Sequence, residues 1–194
     1  MLILVAGLII FFGVHLVRVI SEPLRAGIID RLGETQYKGA YSALSLVGIV
    51  MVSYGYGQAK IGALPLWDPP GGISHLALIL VPIAFVLVAS AYAPTGHIKA
   101  TVRHPMVLGV GLWALGHLLA NATLPDLVLF GGFLGWAVID YASALKRTDA
   151  ASRPVATGYR GDVAAVAIGL VLAAIFIGGL HAWLFGVAPI PGAA

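Results

Sequence analysis

Charged residues are so sparse in this 194-residue chain that they cut it into long uncharged runs, and those runs dictate the fold. Lys, Arg, Asp and Glu are absent from 1–17, 39–59, 69–98, 104–125, 127–139 and 163–194. A helix needs about 20 mostly apolar residues to cross the hydrocarbon core of a bilayer. The six runs therefore predict an all-α integral membrane bundle of six transmembrane helices. Helices are expected near 2–20, 41–57, 73–92, 105–122, 124–145 and 163–187, in a single transmembrane domain over 1–194. Asp126 and Asp140 fall near the two ends of the fifth, and the turn Asn121–Pro125 makes helices four and five antiparallel neighbours. Composition agrees, with 60% hydrophobic and only 10% charged residues, against roughly 25% charged in soluble domains. Mean hydropathy is +0.98. So little polar surface cannot coat a globule, which excludes a soluble enzyme, a disordered tail and a nucleic-acid binder.

Orientation follows from the basic residues. Arg18, Arg25, Arg31, Lys38, Lys99, Arg103, Lys146, Arg147, Arg153 and Arg160 follow predicted helices one, three and five, while Lys60 stands alone on the other side. The positive-inside bias then places both termini outside the cytoplasm. No basic segment precedes the first apolar run and no small-residue cleavage site follows it, so it reads as a retained helix. The outer loop Pro65–Gly72 is turn-rich, with Trp67 suited to anchor at the interface. Of 25 glycines, Gly131 and Gly135 form a GxxxG pair, and with Gly109 and Gly116 they are expected to allow close helix packing within the chain. Pro82 is expected to kink the third helix.

Six histidines and no cysteine define the available chemistry. The missing thiols exclude disulfides, iron–sulfur clusters and Cys-ligated zinc. Few carboxylates lie near the bundle, which disfavours zinc and di-iron centres. Neutral imidazoles on facing helices of an apolar bundle suit b-type haem. His15, His97 and His104 lie toward the cytoplasm and His75, His117 and His181 toward the outside. By depth, His15 pairs with His104, or His75 with His117. His104 and His117 are 13 residues apart, roughly 20 Å along a helix, too far to share one iron. Arg103 and Lys99 are placed to hold carboxylates such as haem propionates.

Several segments carry a family resemblance. Gly33-Glu34, Tyr37-Lys38-Gly39-Ala40-Tyr41-Ser42, Leu66-Trp67, His75, Arg103-His104-Pro105-Met106-Val107-Leu108-Gly109 and Leu112-Trp113-Ala114-Leu115-Gly116-His117 resemble the NnrU family, from His15 to about Arg147. These are bacterial inner-membrane proteins named for an association with nitrite and nitric oxide reduction. The family is similar to the plant and cyanobacterial 15-cis-zeta-carotene isomerase, a multi-spanning b-haem protein. That similarity matches His15, His104 and His117 to isomerase histidines and implies His15 and His117 as haem ligands, with His75 an alternative partner for His117. A cysteine that exchanges as ligand in the isomerase matches Ala114 here, so that exchange has no equivalent.

The resemblance thus implies an inner-membrane, multi-pass haem b protein with a redox or nitric-oxide-related role, its enzymatic form being redox-gated isomerisation of a polyene. Two other classes remain open. The segment Arg103–Gly109 is similar to the S-adenosylmethionine-holding element of isoprenylcysteine carboxyl methyltransferases, with Val107 at the tyrosine position. The carboxylate-bearing segment of those enzymes is missing, replaced by Lys146-Arg147-Thr148-Asp149. A non-enzymatic assembly partner for a membrane reductase is the third.

Overall fold

A computed structural model describes residues 1–70, 72–147 and 153–190. Gly71, Thr148 and Asp149 lie outside the described residues. The elements are α1 (Leu2–Ile20), α2 (Glu22–Leu32), α3 (Glu34–Lys60), a 3-10 turn (Ile73–Leu76), α4 (Ala77–Tyr92), α5 (His97–Val102), α6 (Pro105–Ala120), α7 (Leu124–Arg147), α8 (Arg160–Ile175), a π turn (Phe176–Leu180) and α9 (His181–Phe185). Five helical stretches are long and apolar enough to cross a membrane: Leu2–Ile20, Glu34–Lys60, Ile73–Tyr92, Leu124–Arg147 and Arg160–Phe185. The helix expected near 105–122 is present as α6, an apolar helix of 16 residues.

Three expectations change. The second helix begins at Glu34 rather than near 41, and residues 22–32, expected as loop, form α2. Local chemistry explains both starts. The Ser21 hydroxyl accepts the Leu24 N–H at 3.2 Å, a proline occupies the first turn, and α2 stops at Gly33, whose φ is +85°. Glu34 then pairs with Lys38 one turn on, at 2.7 Å. With 27 residues, α3 is about 40 Å long and projects beyond a ~30 Å hydrocarbon core. The last helix, expected unbroken over 163–187, opens into the π turn at Gly178-Gly179, where Gly179 has φ +142°.

The helices pack in the spatial order α3, α1, α7, α6, α4, α8. Glycines set the closest approaches, although the pair singled out in the sequence is not among them. A Cβ on Gly7 would lie 2.7 Å from Val52 N, and one on Gly48 would lie 2.9 Å from Phe11 N, so α1 and α3 touch backbone to backbone. Gly109 brings α6 against the Ala84 carbonyl of α4, as the sequence suggested. Gly135 faces open space and Gly131 meets only the Leu127 side chain at 3.8 Å, so their GxxxG pair makes no close helix contact within the chain. The buried core gathers Leu4, Leu8, Val52, Ala114, Leu129, Phe130 and Phe133 between α1, α3, α6 and α7.

Gly7 facing Val52 makes α1 and α3 antiparallel, while Phe12 and His15 facing Phe133 and Trp136 make α1 and α7 parallel. One end of the bundle therefore holds the α1–α2–α3 turns, α5 and the close of α7. The opposite end holds Lys60, the α6–α7 turn and α9. There the Leu66 N–H bonds the Ala122 carbonyl at 2.7 Å, tying the Pro65–Trp67 loop to the α6–α7 turn.

Candidate functional site

At the end rich in basic residues, α1, α2, α3, α6 and α7 line an open-sided cavity of about 560 Å³, within the ~300–1,000 Å³ range of ligand pockets. His15 and His104 both line it. His15 Nδ1 lies 2.7 Å from the Phe11 carbonyl oxygen. A carbonyl only accepts, so Nδ1 carries a proton, and in the neutral ring Nε2 keeps a lone pair. Phe11 stacks on the imidazole at 4.0 Å between centroids, with Tyr41 at 5.0 Å and Trp136 edge-on at 5.7 Å. The ring is therefore held in one orientation.

His104 reaches the cavity through an uncommon backbone device. Arg103 has φ +62° and ψ −49°, the sole non-glycine with positive φ among the described residues. The His104 N–H bonds the Val102 carbonyl at 2.7 Å, closing the rare and strained form of γ-turn around Arg103. Pro105 then fixes the first turn of α6 where no donor is needed. The Arg-His-Pro sequence is thus a reversal that stops α5, starts α6 and sets His104 between them. Burial lowers the His104 pKa, opposed by a hydrogen bond with the Ala144 backbone, so the imidazole favours its neutral form.

Basic side chains ring the cavity. Arg18 and Arg25 share Glu22 at 3.2 and 2.8 Å, and Arg147 stands 3.5 Å from Asp140 while also bonding the Ser143 hydroxyl. Arg25 lies over the Tyr37 ring at 5.6 Å. The indole Nε1 of Trp136, also a lining residue, is buried with no hydrogen-bond partner among the described residues.

The other end is built differently. Asp126 is fully buried and receives Tyr56 Oη at 2.6 Å, Lys60 Nζ at 2.9 Å, and the Thr123 N–H and hydroxyl at 2.9 and 2.6 Å. This network clamps α3 to the start of α7. Beside it His117 stacks on Phe130, with centroids 4.7 Å apart, and lies 6.4 Å from the His181 ring.

The structure thus brings His15 and His104 to one cavity and sets His117 elsewhere. Between His15 and His117 stand Trp136, Phe133 and Trp113, with successive centroid spacings of 5.7, 6.4, 5.6 and 5.1 Å. His75 is exposed on the 3-10 turn before α4, and Arg103 supports His104 without lining the cavity. Sequence reasoning missed Tyr37, Tyr41 and Trp136 as cavity walls, since nothing in their spacing separates them from lipid-facing aromatics. It also missed the Lys60–Asp126 pair. The signal was there, because Lys60 is the lone basic residue assigned to its side and Asp126 is one of few acids there.

Among the described residues no three His, Cys, Asp or Glu side chains converge on a common point. No curated protein and no solved structure matches the chain. The NnrU protein family model matches residues 3–189, nearly the whole length, and the chain belongs to the NnrU family.

Proposed function

We propose that the protein is a multi-pass b-haem protein of the bacterial inner membrane, with a redox or nitric-oxide-related role in nitrogen-oxide reduction. In this reading all six apolar helices cross the bilayer, the basic end faces the cytoplasm and both termini lie outside. The observation that carries the haem reading is that His15 of α1 and His104 of the turn before α6 line one cavity with a cationic rim.

The residues fit the group. His15 offers an unprotonated Nε2, because its Nδ1–H is bound to Phe11, and that bond also fixes the ring's direction. His104 comes from the turn before α6, across the cavity, and Arg18, Arg25, Lys38 and Arg147 are placed to receive two propionates by charge-assisted bonds. Val14, Val107 and Trp136 supply apolar wall, and the unpartnered indole N–H of Trp136 is a spare donor beside the cavity. A bound haem supplies one-electron redox chemistry, and its iron takes nitric oxide where a ligand position is open. The chain's own part is to hold the imidazoles neutral, neutralise carboxylates at the rim and keep water from the apolar wall.

The test is an absorption spectrum of the detergent-purified protein, oxidised and dithionite-reduced, with a pyridine haemochrome to count haem per chain. The expected result is about one b-haem per chain. His15→Ala and His104→Ala should each weaken haem binding by about tenfold or more, while His75→Ala leaves it intact. A protein that stays colourless when haem is supplied overturns the reading. Loss of haem only in His117→Ala would relocate the site.

A further inference from the structure

We infer that the seam between α4 and α8, at the basic end of the bundle, holds one anionic phospholipid. Its acyl chain lies along an apolar groove and its phosphate meets Arg160. The groove is open-sided, with a volume of about 480 Å³. Val88, Tyr92 and Pro94 line one side of it, and Ala164, Ile168 and Leu172 line the other.

Close packing creates the groove. The buried residues of α8 are Gly161, Ala165, Gly169 and Ala173, one every four positions. They bring two backbones together: a Cβ on Gly169 would lie 2.5 Å from Val86 Cα, and one on Gly161 would overlap the Pro94 carbonyl oxygen. The neighbouring row of the same helix is Arg160, Ala164, Ile168 and Leu172, set one residue back. Its three apolar members form the α8 wall. The two glycine contacts, two turns apart, fix both walls, so the groove exists without a ligand to open it.

The dimensions match a lipid tail. Ala164 to Leu172 covers about 12 Å along the helix, against about 15 Å for one leaflet of a ~30 Å hydrocarbon core. Apart from the Tyr92 hydroxyl, every lining side chain is wholly apolar, which offers nothing to a polar solute. Left unfilled, such a trough forfeits dispersion contacts along both walls. In a bilayer the molecule at hand to fill it is an acyl chain.

Charge then selects the lipid. Arg160 stands on the groove row one turn before Ala164 and is exposed, and among the described residues no acidic side chain pairs with it. Asp162, the one acid of α8, is engaged elsewhere. It accepts the His97 and Ile98 N–H groups, both at 2.8 Å, and lies 3.0 Å from His97 Nδ1. Lys99 Nζ bonds the Ala91 carbonyl at 2.8 Å, which keeps a second cation beside the end of α4. Tyr92 is 78% exposed and adds a hydroxyl where tyrosines collect at membrane interfaces. An apolar trough that ends in cations fits a phosphate with a tail, and basic residues at the membrane surface attract anionic lipids.

The test is native mass spectrometry of the full-length protein, delipidated in detergent and titrated with dioleoylphosphatidylglycerol or dioleoylphosphatidylcholine. The expected result is about one phosphatidylglycerol retained per chain, in preference to phosphatidylcholine. Arg160→Gln should reduce that preference by about fivefold, the share of one cation at a membrane surface. Ala164→Leu and Ile168→Trp, which fill the groove from α8, should displace the lipid. Val171→Trp, exposed on α8 but outside the groove, should not. All four variants should keep the helical circular dichroism of the parent. Three results overturn the proposal: equal retention of the two lipids, a preference unchanged in Arg160→Gln, or as much lipid on the Ile168→Trp protein as on Val171→Trp. None of these bears on the His15–His104 cavity, so the two sites stand or fall separately.

Discussion

At the end of the bundle that carries Lys60, Asp126 meets four donors and none of its surface reaches solvent, whereas at the other end His15 and His104 face a cavity of about 560 Å³. Both ends contain ionisable groups that are expensive in hydrocarbon. The difference lies in saturation. Around Asp126 the Tyr56, Lys60 and Thr123 donors occupy the carboxylate completely, leaving nothing to offer a ligand. His15 satisfies one ring nitrogen internally and leaves the other available. In this bundle the saturated polar cluster works as a clamp, and the half-saturated one beside the cavity is the candidate site.

The largest expected effect breaks the clamp. Asp126→Ala leaves Lys60 and Tyr56 without their partner and should cost about 3–5 kcal/mol, read as a lower thermal midpoint in detergent. Haem per folded chain should not change. A parallel loss of haem would show that the two ends are not independent. Next comes the α1–α3 contact. Gly48→Val would push against the Phe11 backbone and should destabilise by about 1–3 kcal/mol. It should also weaken haem binding, because α1 carries His15. Gly135→Ala, facing open space, should change neither midpoint nor haem, and serves as its control.

A smaller effect of opposite sign is expected at the γ-turn. Arg103→Gly removes the strain of a positive φ and should stabilise the protein by about 1 kcal/mol, while Arg103→Ala, which keeps the strain, should not. The smallest effect is in pH. Burial depresses the His104 pKa, so the neutral folded form resists protonation. The associated stability is present above the ordinary histidine value and is lost as pH falls from there through the depressed value. Haem retention should follow the same window, persisting into mildly acid solution before falling. Retention that drops at or above the ordinary histidine value would remove His104 from the site.

Much of the fold was legible because the bilayer imposes it. Uncharged runs placed α1, α4, α6 and α7 to within a few residues. The errors fell where polar sequence adopts helix through local contacts rather than burial. Ser21 caps α2, and Glu34 pairs with Lys38 at the start of α3, yet neither segment is apolar. The Gly131–Gly135 pair has the spacing for close packing and faces outward, while Gly7, Gly48 and Gly169 make close contacts without a GxxxG pattern. Spacing places residues on a face, but only the partner helix decides which face is covered.

From the sequence alone came the membrane class, the separation of basic residues to one side and the short list of histidines, because the energetics of charge in hydrocarbon act locally on the chain. The tertiary structure decided which histidines share a space. His15 and His104 lie 89 positions apart and meet because α1 packs along α7 and α6 along its other side. The His117 and His181 rings come within 6.4 Å of each other just after a π turn in the final helix. Those meetings depend on helix order and on backbone irregularities, which no periodicity in the sequence records.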